Sequence, residues 1–267
     1  MATYKEIHGV KVQYRDSDAT AIEGDVWYNA STGKLKMYST VGAWSSGGNM
    51  TETAKDRGGM GSQTAGLVAG GNPATATTAN SEEYDGSSWT EGSNLTTGRY
   101  GAATAGTQTA GLFGSGHSGT AAVTNSEEYN GTSWAEGDDV GTARYHIACG
   151  FGVQTAAMCV GGIVSESKID NVESYDGSSW TEDTDINTAR MFPNGSGSTT
   201  AGMVAGGDPS PAACELWNGT SWTEVNDLNT GKIGANSAHQ GTNTSTIVFG
   251  GHPALANTEE WDGTSWA

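Results

Sequence analysis

The sequence predicts an all-β fold, a β-propeller of five repeats of about 45 residues, preceded by an N-terminal segment of different composition. Three landmarks recurring in phase predict it. First, SEEYDGSSWTEG at 81–92 returns as SEEYNGTSWAEG at 126–137, ESYDGSSWTED at 173–183, CELWNGTSWTEV at 214–225 and TEEWDGTSWA at 258–267. Its tryptophans, Trp89, Trp134, Trp180, Trp222 and Trp266, are spaced 45, 46, 42 and 44 residues apart. Second, an apolar run precedes each: TAGLVAGG (64–71), TAGLFGSG (109–116), TAAMCVGG (155–162), TAGMVAGG (200–207) and STIVFGG (245–251). Third, a basic residue stands ten positions after four of the tryptophans: Arg99, Arg144, Arg190 and Lys232.

Within a unit the elements follow in a fixed order. The first strand follows the basic residue, as in RYGAAT or RYHIAC. The second is the apolar run before the glycines, the third the acidic-aromatic run such as SEEYDG, and the fourth begins at the tryptophan. Turn formers (GTQT, DG, NG, GNPAT) link them, and Asp-Gly and Asn-Gly suit tight hairpin turns of the primed types. Apolar residues nowhere recur at helical spacing between caps. Four short antiparallel strands in about 45 residues make one propeller blade.

Composition taken without the period points the other way. Glycine is 41 of 267 residues, Leu, Ile, Val and Phe together only 33, and 30 acids stand against 12 bases. Such values usually mark disorder. The repeat explains them instead: glycines permit positive φ and close backbone approach near the axis, and Tyr and Trp supply the area that a Leu-poor chain needs between blades. A charge of −18 argues against nucleic acid as a partner. No run of apolar residues is long enough to insert in a membrane, and the N-terminus lacks the apolar core of a signal peptide. Cys149, Cys159 and Cys214 lie in or beside apolar stretches and show no metal-ligand spacing, so they read as small buried hydrophobes. The histidines 8, 117, 146, 239 and 252 form no metal-binding pair, and no cofactor is expected.

An apolar run ending in Gly-Gly, then Tyr-Asp or Trp-Asn, then Trp four residues after the Asp or Asn, resembles the kelch repeat. The likeness covers about residues 52–267. It departs at Gly114-Ser115-Gly116 in the second unit and in the short loops rich in Thr and Ser. It implies a kelch-like propeller over residues 51–267.

Residues 1–50 form a distinct segment. Residues 1–57 carry seven bases and seven acids, so the whole −18 belongs to 58–267. DVWYNASTGKLKMYS reads as two strands joined by a turn at Ser31–Gly33. The stretch HGVKVQYRDSDATAIEGDVWYNASTGKLKMY, with the landmarks GDVWYN and LKMY, resembles N-terminal segments of tailed-phage virion proteins, tail-fibre-like and appendage proteins among them. That resemblance implies a mounting module gripping other virion proteins, with the remainder displayed outward in several copies. The other reading is a degenerate sixth blade, with strands at Val10–Tyr14, Val26–Asn29, Lys34–Ser39 and Ala43–Ser46 and Trp44 as its anchor, 45 residues before Trp89. Because the fourth strand of the fifth unit has barely begun at Trp266, residues 41–46 are expected to donate the strand that closes the ring.

For chemistry, the leading candidates are Arg99, Arg144, Arg190 and Lys232, with Arg57 or Lys55 completing the set in the first unit. If first strands are innermost, these cations gather near one channel mouth and could hold an anionic sugar or another carboxylate-bearing ligand. The alternative is that each pairs with a nearby acid. A sialidase Asp-box does not fit DGSSW, since Trp89 is four residues after Asp85 and Gly86 is adjacent. The acids Glu82, Glu83, Glu127, Glu128, Glu173, Glu259 and Glu260 recur with the repeat, which marks architecture, whereas a catalytic residue should break the symmetry. His117, His146 and His239 do break it, but read as loop or strand residues. The Asn-Gly-Thr triplets at 130–132 and 218–220 match a glycosylation acceptor and fall on recurring turns. The expected function is therefore non-enzymatic: a structural protein of a tailed-phage virion acting in adhesion or decoration, with host surface glycan as its ligand. A polysaccharide-acting enzyme and a cellular kelch scaffold are the alternatives.

Overall fold

Tyr84 and Trp89 lie directly opposite each other on adjacent strands, with ring centroids 5.0 Å apart. The same pair recurs as Tyr129–Trp134, Tyr175–Trp180, Trp217–Trp222 and Trp261–Trp266, at 5.0 to 5.3 Å. Each is a cross-strand aromatic contact of the kind that fixes register in antiparallel sheets. The computed structural model describes residues 5–7, 10–15, 26–31, 33–37, 46–74, 76–146, 149–237, 241–252 and 254–267. Trp44, His8, His239 and residues 41–45 of the expected donor segment 41–46 fall outside them. Two compact units are present, Met1–Gly47 and Gly48–Ala267.

The second unit is a five-bladed β-propeller. Blade 1 comprises β5 (Gly58–Ser62), β6 (Ala65–Ala69), β7 (Ser81–Tyr84) and β8 (Trp89–Glu91), and blade 2 comprises β9 (Ala103–Thr107), β10 (Ala110–Gly114), β11 (Ser126–Tyr129) and β12 (Trp134–Glu136). Blade 3 is β13 (Cys149–Val153), β14 (Ala156–Val164), β15 (Ser167–Tyr175) and β16 (Trp180–Glu182). Blade 4 is β17 (Asn194–Ser198), β18 (Ala201–Ala205), β19 (Cys214–Trp217) and β20 (Trp222–Val225); blade 5 is β21 (Asn236–Ser237), β22 (Thr246–Phe249) and β23 (Thr258–Trp261). Every blade is an antiparallel meander in sequence order. In the fifth, the fourth strand is reduced to one bridge, Trp261 to Trp266, flanked by Glu260–Ala267 hydrogen bonds.

First strands are innermost: β5, β9, β13 and β17 lie side by side, with β21 next to β17. Their glycines make this approach possible. A Cβ on Gly150 of β13 would collide with the Thr104 backbone of β9. The hydrophobic cores lie between consecutive blades, since a thin sheet of four short strands cannot bury its faces alone. Leu67, Phe113 and Trp134 pack between blades 1 and 2, Leu112, Tyr175 and Trp180 between 2 and 3. Met158, Val204 and Trp222 pack between 3 and 4, and Met203, Val248 and Trp266 between 4 and 5. Each tryptophan from the second repeat onward thus covers the preceding blade. Polar contacts repeat the rule: Gln108 donates to the Gly66 and Tyr84 carbonyls, and Gln154 to those of Gly111 and Tyr129. Cys159 and Cys214 are free and buried within these cores, where burial pushes both thiols up to about 11.

Blade 1 differs on the face its tryptophan presents. Trp89 and Val68 are half-buried, and Met50 is 41 % exposed, whereas Leu95, Val140, Ile186 and Leu228 at the matching position are at most 4 % exposed. Val68 and Trp89 line the central cavity together with Phe249 of blade 5, instead of packing on a neighbouring blade. Packing between blades is therefore complete at four junctions and absent from the fifth-to-first one among the described residues.

The turns correct a sequence expectation. Asp-Gly and Asn-Gly sit in four-residue loops closed by the Asx side chain, because Tyr84, not Gly86, faces the next strand. Asp85 Oδ1 accepts from the Ser87 and Ser88 N–H groups, and Asn130, Asp176, Asn218 and Asp262 do likewise. These bonds, the Ser88 N–H foremost, hold the Asp85 carboxyl down at about 2. Asn130 and Asn218 are committed to the turn through their side-chain oxygens.

The first unit is a separate sheet of β1 (Lys5–Ile7), β2 (Val10–Arg15), β3 (Val26–Asn29) and β4 (Lys34–Met37). β3 and β4 form the expected hairpin. However, β2 and β3 are parallel, so this sheet is not a meander and does not have the topology of a blade. The sixth-blade alternative is thereby corrected: the propeller has five blades. A parallel pair needs a crossover in place of a tight turn.

Candidate functional site

The repeated cations are structural latches. Arg57, Arg99, Arg144, Arg190 and Lys232 pair with Glu82, Glu127, Glu173, Glu215 and Glu259, each on the third strand of its own blade. The Arg57, Arg99 and Arg144 pairs close to 2.6 Å, and Lys232 lies 3.3 Å from its acid. Arg99, Arg144, Arg190 and Lys232 are 0 % exposed. Each glutamate also accepts backbone N–H groups of the linker entering the blade, from Thr51, Thr96, Gly141, Asn187 and Asn229. Arg99 further donates to the Ser115 and Phe113 carbonyls and stacks over the Phe113 ring at 5.0 Å. Burial pulls the Arg99 guanidinium below its ordinary value while Glu127 opposes the shift. Glu82 is pushed up by burial, but the Thr51 N–H and the other bonds outweigh it and leave it lowered.

The expected cation ring is therefore real as a pattern, but its charges are already spent on carboxylates. An anion could reach these groups only by displacing a buried glutamate. Arg57 reaches its acid from a shifted position, since Lys55, not Arg57, bridges to Asn72 as Tyr100 bridges to His117. The remaining acids are architectural too. Tyr129 donates a short hydrogen bond to Glu83 of blade 1, and Tyr175 donates to Glu128 of blade 2. Those bonds, on top of burial, push both phenols above the usual tyrosine range.

Symmetry breaks at the channel mouth, two residues beyond the latch in blades 2 to 5 and one residue before Arg57 in blade 1. Asp56, Gly101, His146, Phe192 and Gly234 occupy one repeat position and all have φ between 48° and 64°. Gly101 donates its N–H to the Asp56 carbonyl, Phe192 to that of His146 and Gly234 to that of Phe192, at 3.1 to 3.2 Å. Backbone bonds so link blade 1 to blade 2, and blades 3, 4 and 5 in succession, at the mouth. Three of these residues carry side chains in a conformation that costs a non-glycine residue about 1–3 kcal/mol. Two of the three are His146 and Phe192, whose rings stack at 4.3 Å.

Around them gathers an aromatic cluster: Tyr100 with His117 at 5.2 Å, His117 with Tyr145 at 4.7 Å, and Tyr145 with His146 at 4.7 Å. All five rings are half-buried. Burial lowers the His146 imidazole below its ordinary value, with Asp56 acting against it. Burial likewise raises Tyr100.

The cluster stands between two cavities. The central one, of about 600 Å³, follows the channel and is bordered at this end by Asp56, His146 and Phe192. A second, of about 380 Å³, is lined by His117, Tyr145, Val164, Ser165 and Glu166. Both volumes fall in the range of small-molecule sites. The wall of the second cavity is the β14–β15 hairpin, whose strands are nine residues long where other blades have four or five. Ser165 and Glu166, both at positive φ, make its two-residue turn, and Lys168 pairs with Asp208 at 2.7 Å beside it. Among the described residues no group of three metal-ligating side chains is present, and no helix is long and apolar enough to cross a membrane.

Sequence reasoning identified the latch residues and the non-repeated His117 and His146. It did not bring the histidines together with Tyr100, Tyr145 and Phe192. The available signal was the residue pair after each latch, which reads Tyr-Gly, Tyr-His, Met-Phe and Ile-Gly in blades 2 to 5. No protein-family model matches the chain, and no curated protein matches it either.

Proposed function

We propose that this chain is a non-enzymatic adhesion module of a tailed-phage virion. Its kelch-like propeller binds host surface glycan, and residues 1–50 grip other virion proteins, so that several copies face outward. The observation that carries the glycan reading is the half-buried ring cluster of Tyr100, His117, Tyr145, His146 and Phe192 between two cavities. Aromatic faces with hydroxyl and imidazole groups at their edges supply apolar area together with a polar handle. That combination suits a sugar, which has apolar C–H faces and a rim of hydroxyls. The non-enzymatic part is supported by the distribution of acids. Among the described residues, Asp56 is the one carboxylate bordering the first cavity and Glu166 the one bordering the second, whereas glycoside hydrolysis takes two carboxylates flanking one bond.

Particles carrying Tyr100→Ala with Tyr145→Ala are expected to adsorb to host cells at least about tenfold more slowly, with the chain still incorporated. Host polysaccharide incubated with the parent chain is expected to gain no reducing ends. Unchanged adsorption of variant particles would remove the glycan reading. Particles from which the chain is absent would remove the virion assignment.

A further inference from the structure

The nature of the glycan can be narrowed from the charges at the mouth. Resting on the adhesion reading above, we infer that the aromatic mouth takes uncharged sugars, hexose or N-acetylhexosamine units, in preference to anionic ones such as uronates or sialates. Recognition of an anionic sugar normally uses Arg or Lys aimed at the carboxylate. Here the four latch cations of blades 2 to 5 are 0 % exposed, and all five latch cations face a glutamate.

What remains at the mouth favours neutrality. Lys55 is exposed but adjoins Asp56, which borders the channel, and Lys168 is paired with Asp208. Arg57 borders the channel too, with Glu82 as its counter-ion, so with Glu166 at the hairpin tip the described residues here carry three cations against four carboxylates. Burial disfavours the protonated form of the His146 imidazole. Beyond the mouth, residues 58–267 carry the entire −18, a field that repels an approaching polyanion.

The groups that do face the cavities match an uncharged ligand. The rings of Phe192 and His146 on one side, and of Tyr145 and His117 on the other, offer stacking faces. Hydroxyls of the sugar find partners in the tyrosine hydroxyls, the imidazoles and the Asp56 and Glu166 carboxylates, which accept from hydroxyl donors without needing a cation. An acidic partner on the sugar would meet those same carboxylates as like charges.

The test is a panel of immobilised oligosaccharides, neutral hexose and N-acetylhexosamine chains beside uronate-containing, sialylated and sulfated chains of matched core, probed with the full chain at low and high salt. Neutral sugars are expected to bind at least about tenfold more tightly than their anionic counterparts, with little change on adding salt. The Tyr145→Ala chain serves as the site control, and Phe192→Gly as a second variant that restores the residue type of blades 2 and 5. Loss of neutral-sugar binding in both supports the assignment. A preference for anionic sugars that fades with salt would overturn the inference and leave the adhesion reading standing. Binding to none of the sugars would overturn both.

Discussion

Replacing Arg99 with methionine is expected to destabilise the propeller by about 3–5 kcal/mol, measured by urea unfolding at pH 7. The side chain is 0 % exposed and its guanidinium joins Glu127, the Ser115 and Phe113 carbonyls and the Phe113 ring. Methionine retains much of the volume but leaves Glu127 buried without its counter-ion. The cost therefore lies mainly in the stranded carboxylate rather than in lost packing. Removing both charges, as Arg99→Met with Glu127→Leu, is expected to restore part of the loss, although the Thr96 N–H then loses its acceptor. A single variant within about 1 kcal/mol of the parent would contradict the latch.

Trp222→Ala is expected to cost about 3–5 kcal/mol, and Trp89→Ala clearly less, about 1–2 kcal/mol. Both tryptophans open the fourth strand of a blade and face an aromatic residue on the third. Trp222 additionally packs on Phe151, Met158 and Ile186 of the preceding blade and donates to the Thr184 carbonyl. Trp89 borders the central cavity and is only half-buried. Equal losses for the two would mean that the first blade is covered as fully as the fourth. Thermal and urea unfolding of the two variants side by side decide the matter.

How much of this could be read in advance follows from which contacts repeat. The blade plan was legible because each junction uses the same parts, so Trp134, Trp180, Trp222 and Trp266 and the glycine runs recur at one period. The bases Arg99, Arg144, Arg190 and Lys232 were legible as a series. Their burial was not, because their partners stand 25 to 29 residues away, on the third strand, where acids also serve other contacts, as Glu128 does with Tyr175. Turn length was misjudged because Asp-Gly, read locally, does not say whether the Asx side chain will close a longer loop. The N-terminal sheet departs from a blade through one parallel pair, a property of chain direction that a list of four strands does not contain.

The mouth was the least legible region, for a physical reason. Tyr100, His117, Tyr145, His146 and Phe192 come from three blades and meet only because the inner strands converge. Their signature is a failure of the repeat, and a period-based reading discounts such residues as strand or loop. The long β14–β15 hairpin likewise adds Ile163, Val164, Ile169 and Val172 after Gly162, in a stretch where the other repeats carry turn formers.

On the proposed reading, His146 and Phe192 are held in the left-handed conformation for ligand contact and not for the fold. The most direct measurement is the binding of neutral oligosaccharide by the chain carrying His146→Gly with Phe192→Gly, alongside its thermal midpoint. Glycine stands at the same position as Gly101 and Gly234, so the backbone at the mouth loses strain as it loses two side-chain rings. The expected result is a midpoint within about 5 °C of the parent and binding at least about tenfold weaker. Parent-like binding by the folded variant would contradict the claim.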